Sequence, residues 1–203
     1  MIIGLTGTKA SGKGEIAKFL QAKGFLYFSL SDIVREEAKK KGLGKTVAEL
    51  QDVGNWLREK YGPSVLAKRI IKVIKEVERE KGEKGSKNFV IDGIRNPAEI
   101  KELRKLRGFY LISVDAPKKK RFEWMLKRAR PSDPKTWSEF LKMDKRDKGK
   151  KELVIGQQVK ACMQMADFKI KNNSTLLKLR EKIERILEVI TRKQKRFKST
   201  IPY

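Results

Sequence analysis

A short stretch near the start of the chain has the residue types of a phosphate-binding loop. It reads GTKASGK over 7–13, which matches GxxxxGK, between an apolar run and a helix-like run. Glycines let backbone amides turn inward around a phosphate, the next helix adds its N-terminal amides, and Lys13 would reach the β- and γ-phosphates of a nucleotide. The alternative is a simple turn. The residues predicted to bind the phosphates are Gly7, Thr8, Lys9, Ala10, Ser11, Gly12, Lys13, Gly14 and Glu15.

The residues after this lysine depart from the usual pattern, in which a Ser or Thr hydroxyl binds Mg²⁺. Gly14 and Glu15 occupy these positions, so the expected hydroxyl is missing. We therefore expect Mg²⁺ to be held through water, by the phosphates and by another carboxylate.

Charged residues in two further segments are candidates for binding a second phosphate-bearing molecule. SLSDIVREE contains Asp32 and Arg35, and VIDGIRN contains Asp92 and Arg95. In a parallel sheet, Arg35 after a helix start and Arg95 after a strand end can converge on one phosphate beside the loop. The alternatives are that Asp32 caps a helix, that Asp92 ends a strand, and that the arginines of RFEWMLKRAR are solvated. Those arginines are Arg121, Arg128 and Arg130.

The composition excludes several kinds of catalysis. The chain has 203 residues, one cysteine and no histidine. An intramolecular disulfide, a cysteine-rich zinc site and histidine-based acid–base or nucleophilic catalysis are therefore excluded. Phosphoryl transfer is compatible with this composition, because it relies on arginines, a lysine and Mg²⁺ placed around the transferred group.

The charge balance predicts attraction to polyanions. Fifty Lys and Arg residues against 25 Asp and Glu residues give a formal net charge of +25. We expect a small-molecule nucleotide as partner and non-specific, salt-sensitive nucleic-acid binding through the net charge. The alternative is a lysine-rich, solvated surface, because the basic residues are spread along the chain. The apolar runs are too short for a signal peptide or a membrane span, which predicts a cytoplasmic protein without membrane contact.

Short apolar runs alternate with helix-like segments along the chain. The predicted strands cover 2–6, 25–29, 88–92, 110–114 and 168–171, and a long helix is predicted over 176–196. This alternation predicts an α/β fold with a parallel five-stranded sheet flanked by helices. Ser31 and Asp32 are expected at the head of one helix. The residues 82–88 are predicted to be a surface turn.

One region departs from the alternation. Between about 128 and 167 no strand is predicted, but TWSEFLKMDKRD and GQQVKACMQMAD read as two polar helices. Insertions of this length within a compact domain are commonly functional. We predict a lid-like helical insertion over about 129–166 that closes when both substrates are bound.

These motifs resemble those of P-loop nucleoside and deoxynucleoside monophosphate kinases. GKG in the opening loop is similar to the GKGT of adenylate-kinase-like enzymes, although Glu15 departs from it. The D-x-x-R of SLSDIVREE resembles their acceptor-phosphate helix, and VIDGIRN resembles their DG-x-P-R strand end with the arginine one place earlier. The segment ADFKIKNNSTL, 166–176, is similar to the AD-x-x-I-x-N segment of dephospho-coenzyme A kinases. The MIIGLTGTKASGKG opening also looks like the phosphate-loop domains fused to deoxycytidylate deaminases, but H-x-E and P-C-x-x-C are both absent.

The resemblance implies a single P-loop NTPase domain over 1–203, a three-layer sandwich with acceptor-binding helices over about 31–80. It implies an ATP- and Mg²⁺-dependent kinase in which Lys13, Asp92 and Arg128 are catalytic. With the loop, Arg130 and Asn172 would bind ATP, and Asp92 would hold the metal through water. Alternatives are dephospho-coenzyme A kinase activity, a nucleotide-dependent RNA- or ribosome-associated ATPase, and a degenerate nucleotide-binding domain. The acceptor would be bound by Asp32, Arg35 and Arg95.

Overall fold

The computed structural model describes residues 1–43, 46–80, 88–148 and 156–199, with a central parallel sheet. Within these residues the sheet has five strands in the order β2-β3-β1-β4-β5. All neighbouring strands pair in parallel. The predicted α/β fold is confirmed, and each predicted run forms a strand. The strands are β1 Ile2–Gly7, β2 Leu26–Ser29, β3 Phe89–Ile94, β4 Phe109–Asp115 and β5 Phe168–Lys171.

Helices cover both faces of the sheet. Alternate strand residues point to opposite faces, so Ile2 and Phe89 pack on one side while Ile3 and Val90 pack on the other. The first side is covered by α2, α3, α4, α5 and α8, and the second by α1 and α9. None of the described helices is both long and apolar enough to cross a membrane. The helices are α1 Lys13–Ala22, α2 Leu30–Lys40, α3 Val47–Tyr61, α4 Val65–Glu80, α5 Pro97–Leu103, α6 Lys118–Arg128, α7 Trp137–Lys148, α8 Val159–Gln164 and α9 Leu176–Ser199.

The start of α2 differs from the expectation. The helix begins at Leu30, and its N-cap is Ser29, whose side chain accepts a hydrogen bond from the amide of Ser31. Strand β2 runs directly into this helix, so the last strand residue becomes the cap. The expectation that Ser31 and Asp32 head the helix is therefore wrong by two residues, and Asp32 is not the cap.

The predicted insertion divides into two parts. Helix α7 packs Phe140 and Met143 against Met125 of α6, away from the sheet. Helix α8, by contrast, buries Cys162 completely in the core on one face of the sheet. We therefore use the name lid segment only for residues 129–148. The connection 149–155 and most of the predicted turn, 82–87, lie outside the described residues.

Candidate active site

A cavity of about 940 Å³ lies at the carboxyl ends of the strands. In parallel α/β sheets, this edge is where ligands bind. Residues of the loop between β1 and α1 form one side of the cavity, and residues of α2 and α3 form the other. Asp92, Gly93 and Arg95 of the β3 end lie between them, and Arg128 and Arg130 lie where α6 ends. The fold therefore brings the predicted phosphate loop and the predicted acceptor residues to one cavity.

Glycines are required at both ends of the loop. Gly7 has a φ of 131° and Gly12 a φ of 102°, a region that favours glycine. A Cβ on Gly7 would collide with the carbonyl oxygen of Val114, and one on Gly12 with the side-chain amide of Asn172. Ala10 also has a positive φ, of 57°. Such backbone geometry commonly marks a functional loop.

The Lys13 side chain folds back onto the loop. Its Nζ donates to the carbonyl oxygens of Gly7, at 2.9 Å, and Thr8, at 2.7 Å. Burial lowers the pKa of Lys13 from 10.5 to about 8. The negative charge near the ammonium group therefore does not fully offset its burial. A bound phosphate would add negative charge and stabilise the charged form of Lys13.

The ends of β4 and β5 hold the loop in place. Thr8 Oγ1 donates to Asp115 Oδ1 at 2.8 Å, and the Asn172 side-chain amide donates to the carbonyl oxygen of Ser11 at 2.9 Å. The backbone amide of Asn172 donates to the carbonyl of Asp115 at 2.7 Å. Asn172 lines the cavity, where it was predicted to bind the cofactor, and it also fixes the loop. Sequence reasoning missed Asp115.

One buried polar atom in the loop has no hydrogen-bond partner in the part of the chain that the structure describes. The hydroxyl of Ser11 is fully buried without a hydrogen bond among the described residues. Buried hydroxyl groups are nearly always paired, so an unpaired one in this loop is consistent with a ligand completing the site. Together with the required glycines and Lys13, it makes the loop suitable for a nucleotide phosphate.

Asp92, the expected metal-site carboxylate, and the residues expected to bind the acceptor line the same cavity. Asp92 is half-buried at the end of β3, where its Oδ1 accepts a 2.6 Å hydrogen bond from the amide of Gly93. Arg35 pairs with Asp32, and both side chains are about half exposed. Arg95 is more enclosed, and its Nη1 donates to Asp147 Oδ1 at 2.7 Å. Neither arginine is therefore free, and a phosphate would have to share or displace these carboxylates.

Other predicted residues lie at the edge of the site. Glu15 is exposed and pairs with Lys18 at 3.1 Å, so it does not replace the missing hydroxyl of the loop. Arg128 makes two hydrogen bonds to Asp133, at 2.6 and 2.7 Å, and Arg130 is exposed at the rim. Gly7 and Thr8 form the start of the loop and are not among the described residues that line the cavity.

Sequence reasoning also missed the buried carboxylate of Asp147, which joins two of the predicted site residues beside the loop. Lys9 lies 3.7 Å from Asp147, which in turn pairs with Arg95. Burial lowers the pKa of Lys9 from 10.5 to about 7, although Asp147 opposes this shift. Burial alone would raise the pKa of Asp147, but the charges of Arg95, Lys9 and Lys13 outweigh it and lower the pKa. The only local signal was the spacing of Asp147 from the apolar positions of α7.

Arg121 is buried and holds neighbouring elements together. It is 1% exposed, its Nε donates to the carbonyl of Ala116 at 3.0 Å, and its Nη1 donates to Asp144 Oδ1 at 2.8 Å. The same Nη1 reaches the carbonyl of Lys9 at 3.3 Å. Arg121 therefore connects α6 and α7 to the phosphate loop.

The acceptor end of the cavity combines apolar residues with two buried polar residues, Arg58 and Gln51. Arg58 is 2% exposed, donates to Glu99 Oε1 at 2.9 and 2.7 Å, and donates to the carbonyl of Gly54. The side-chain nitrogen of Gln51 is buried without a partner among the described residues. The apolar residues here are Val34, Leu50 and Leu66.

The cavity is strongly cationic. Among the described residues that line it are eight lysines and arginines and four carboxylates. An excess of positive charge in a partly enclosed cavity attracts anionic ligands. The cations are Lys9, Lys13, Lys18, Arg35, Arg58, Arg95, Arg128 and Arg130.

Comparison with known proteins gives matches along most of the chain. Residues 3–149 match the family model described as an AAA domain. A UPF0200 protein of Pyrococcus horikoshii is 39% identical over 193 residues, which cover 94% of this chain and 97% of that protein. A UPF0200 protein of Methanothermobacter thermautotrophicus is 32% identical, over 95% of this chain and 92% of that protein.

Solved structures share the fold at low sequence identity. Shikimate kinase from Acinetobacter baumannii in complex with shikimate has a TM-score of 0.53 and 14% identity, over 93% of each chain. An uncharacterised protein from Eubacterium ventriosum has a TM-score of 0.54 and 17% identity, over 93% of this chain and 98% of that one. These matches confirm the P-loop kinase-like fold.

Proposed function

The chain belongs to the UPF0200 family and has a P-loop kinase-like fold, and from this premise we propose that it transfers phosphate from ATP to a nucleotide-like acceptor. The acceptor that the site fits best is a nucleoside or deoxynucleoside monophosphate. The observation that carries the proposal is a single cavity with Lys13 and its loop on one side and Arg35 and Arg95 on the other.

The donor half would bind ATP through the loop. The backbone from Lys9 to Gly14 would surround the β-phosphate, and Lys13 would exchange its two carbonyl partners for phosphate oxygens. Arg128 and Arg130 would approach the donor from the end of α6, and Asn172 lies beside the loop. The site suits electrostatic catalysis, in which fixed cations stabilise the charge of the transferred group.

Magnesium would be held mainly by phosphates and water. Asp92 is the carboxylate placed at the β3 end, while Glu15 points away towards Lys18. When bound, Mg²⁺ would neutralise charge on the phosphates. This arrangement supports the expectation that Asp92 acts through water.

The acceptor half would hold a phosphate and a less polar body. Arg35 and Arg95 can each donate to phosphate oxygens, and Asp32 orients Arg35. Behind them, the apolar residues around Gln51 and Arg58 offer a site for a base. This combination favours a monophosphate over a small hydroxy acid, which is the ligand named for the shikimate kinase neighbour.

The lid segment would close over the two phosphates. Ala129, at its start, has a left-handed φ of 47°, and Arg128 and Asp133 are paired across the turn that follows. Closure would exclude water and so prevent simple hydrolysis of ATP. Hydrogen exchange with and without a bisubstrate analogue tests this, and unchanged protection of α7 would contradict it.

The experiment that tests the function is a transfer screen with ATP and Mg²⁺. The acceptors are the nucleoside and deoxynucleoside monophosphates, dephospho-coenzyme A and shikimate. We expect transfer to one monophosphate, with kcat/KM for it reduced about ten- to a hundredfold in Arg35→Ala and Arg95→Ala, because each removes a charge-assisted contact. ATP affinity should change little.

Two controls make the result specific. Arg69→Ala removes an arginine that pairs with Glu37 outside the cavity, and it should leave transfer unchanged. Lys13→Ala should abolish transfer without unfolding the protein. Transfer to none of the acceptors would contradict the proposal and favour an ATPase or a binding-only domain, and transfer to shikimate or dephospho-coenzyme A would replace the acceptor class.

A further inference from the structure

Helix α7 directs two carboxylates into the protein. Its start is fixed by Glu139 and Thr136, which exchange side-chain to backbone hydrogen bonds. Phe140 packs into the apolar cluster beside α6, and Asp144 and Asp147 follow one and two turns later on the same side. Both are buried, with Asp147 only 2% exposed. Burying a carboxylate is unfavourable unless it is paired, so the partners of these two residues are informative.

Both carboxylates are linked to the same residue of the loop, Asp147 directly and Asp144 through Arg121. Asp144 binds the guanidinium of Arg121, which also donates to the backbone carbonyl of Lys9. Asp147 lies 3.7 Å from the ammonium group of Lys9 itself. One acidic residue therefore fixes the backbone of position 9 through Arg121, and the other faces its side chain.

Asp147 also reaches the acceptor half of the cavity. Its Oδ1 accepts a 2.7 Å hydrogen bond from Arg95, which extends from the end of β3. Among the described residues, Lys9 and Arg95 line the cavity, and Asp147 lies behind them. The carboxylate is thus placed to act on ligands through these two cations.

We propose that Asp147 is a positioning residue, which holds the Lys9 ammonium group as a second lysine for the donor phosphates and aims Arg95 at the acceptor phosphate. One carboxylate of the lid segment then couples both halves of the cavity. The acceptor half of this inference rests on the proposed function. The donor half requires only that the loop binds a nucleotide.

The charges around Lys9 explain why Asp147 matters. Asp147 of α7 and Asp133 of the lid segment favour the charged ammonium, while Arg95 and Lys13 oppose it. Because burial already lowers the pKa of Lys9 to about 7, loss of the Asp147 charge would lower this pKa further. At pH 7.5, where a pKa of about 7 leaves only a minority of Lys9 charged, that charged fraction would shrink further and Lys9 would bind phosphate more weakly.

The test measures affinity for a non-hydrolysable ATP analogue with Mg²⁺ by calorimetry between pH 6 and 8.5. The affinity of the wild type should fall as the pH rises past about 7. This fall should be larger than that of Lys9→Arg, because the arginine side chain stays charged over the whole range. In Asp147→Asn, the midpoint of this fall should move down by about one pH unit. The analogue should then bind roughly five- to tenfold more weakly at pH 7.5.

Two further variants separate positioning from a merely structural role. Asp52→Asn breaks the exposed pair of Asp52 with Arg146 of α7 and should leave the midpoint unchanged. Asp147→Glu keeps the negative charge and should keep the wild-type midpoint. If Asp147→Asn does not fold, Asp147→Glu is the variant that is measured. A wild-type midpoint in Asp147→Asn, or a displaced one in Asp147→Glu, would overturn the inference.

The acceptor half is measured separately. With the monophosphate found in the transfer screen, Asp147→Asn should raise the KM for the acceptor at least tenfold. An unchanged KM would restrict the role of Asp147 to Lys9. If no acceptor is phosphorylated, the proposed function fails, while the analogue titrations still decide the role of Asp147 at Lys9.

Discussion

Replacing Lys9 with Met is expected to stabilise the ligand-free protein, and the effect should depend on pH. Burial lowers the pKa of Lys9 from 10.5 to about 7, whereas the unfolded chain has an ordinary lysine pKa. Between these values the unfolded state binds more protons than the folded state, so the free energy of unfolding rises with pH. The free energy of unfolding rises by up to about 1.4 kcal/mol per pH unit. Below pH 7, keeping Lys9 charged in the folded protein lowers the free energy of unfolding by about 5 kcal/mol at most.

The assay is urea unfolding followed by circular dichroism at pH 6.5, 7.5 and 8.5. The stability difference between Lys9→Met and the wild type should shrink by about 2 kcal/mol from pH 6.5 to 8.5. The buried Lys13, with a pKa of about 8, also makes the free energy of unfolding rise with pH. The Lys9→Met variant should therefore keep some pH dependence of its stability. Lys105→Met, at an exposed lysine, is the control and should follow the wild type. A difference that does not vary with pH would refute the burial of a charged Lys9.

Two other substitutions test the supports of the cavity. Asn172→Ala removes the 2.9 Å hydrogen bond to the Ser11 carbonyl and should weaken binding of the ATP analogue about fivefold, as measured by calorimetry, because one hydrogen bond is worth about 1 kcal/mol. Unchanged affinity would show that the contacts of the loop with Asp115 and Arg121 hold it without Asn172. Arg58→Met leaves the buried Glu99 without its cation and should lower the free energy of unfolding by about 3–5 kcal/mol in urea. A loss below 1 kcal/mol would mean that Glu99 is protonated or solvated.

Local patterns were sufficient to predict the sheet and the backbone geometry of the loop after β1. The strands are short runs of apolar residues, and both faces of the sheet are covered, so burial and sequence agree. The loop was found because GxxxxGK specifies backbone geometry, and Gly7 and Gly12 do adopt positive φ. Ser29 was missed as a cap because β2 continues directly into α2.

The buried charges could not be predicted, because their partners are distant in sequence. In TWSEFLKMDKRD, Asp144 and Asp147 look like solvated helix residues. Their burial depends on Arg121 and Arg95, which other elements bring to the same place. Arg58 and Glu99 pair across 41 positions for the same reason. Side-chain pairing of this kind becomes visible only when the sheet order is known.

The position of Cys162 makes the native chain convenient for site-specific labelling. It is the sole cysteine of the sequence, its side chain is fully buried, and burial raises the pKa of the thiol far above its ordinary value. Since the thiolate is the form that reacts with alkylating reagents, the natural protein should behave towards them as if it had no cysteine. A fluorophore can then be attached at one introduced thiol, such as Ser138→Cys on the exposed side of α7. Movement of this helix could be followed optically without removing any native residue from the core.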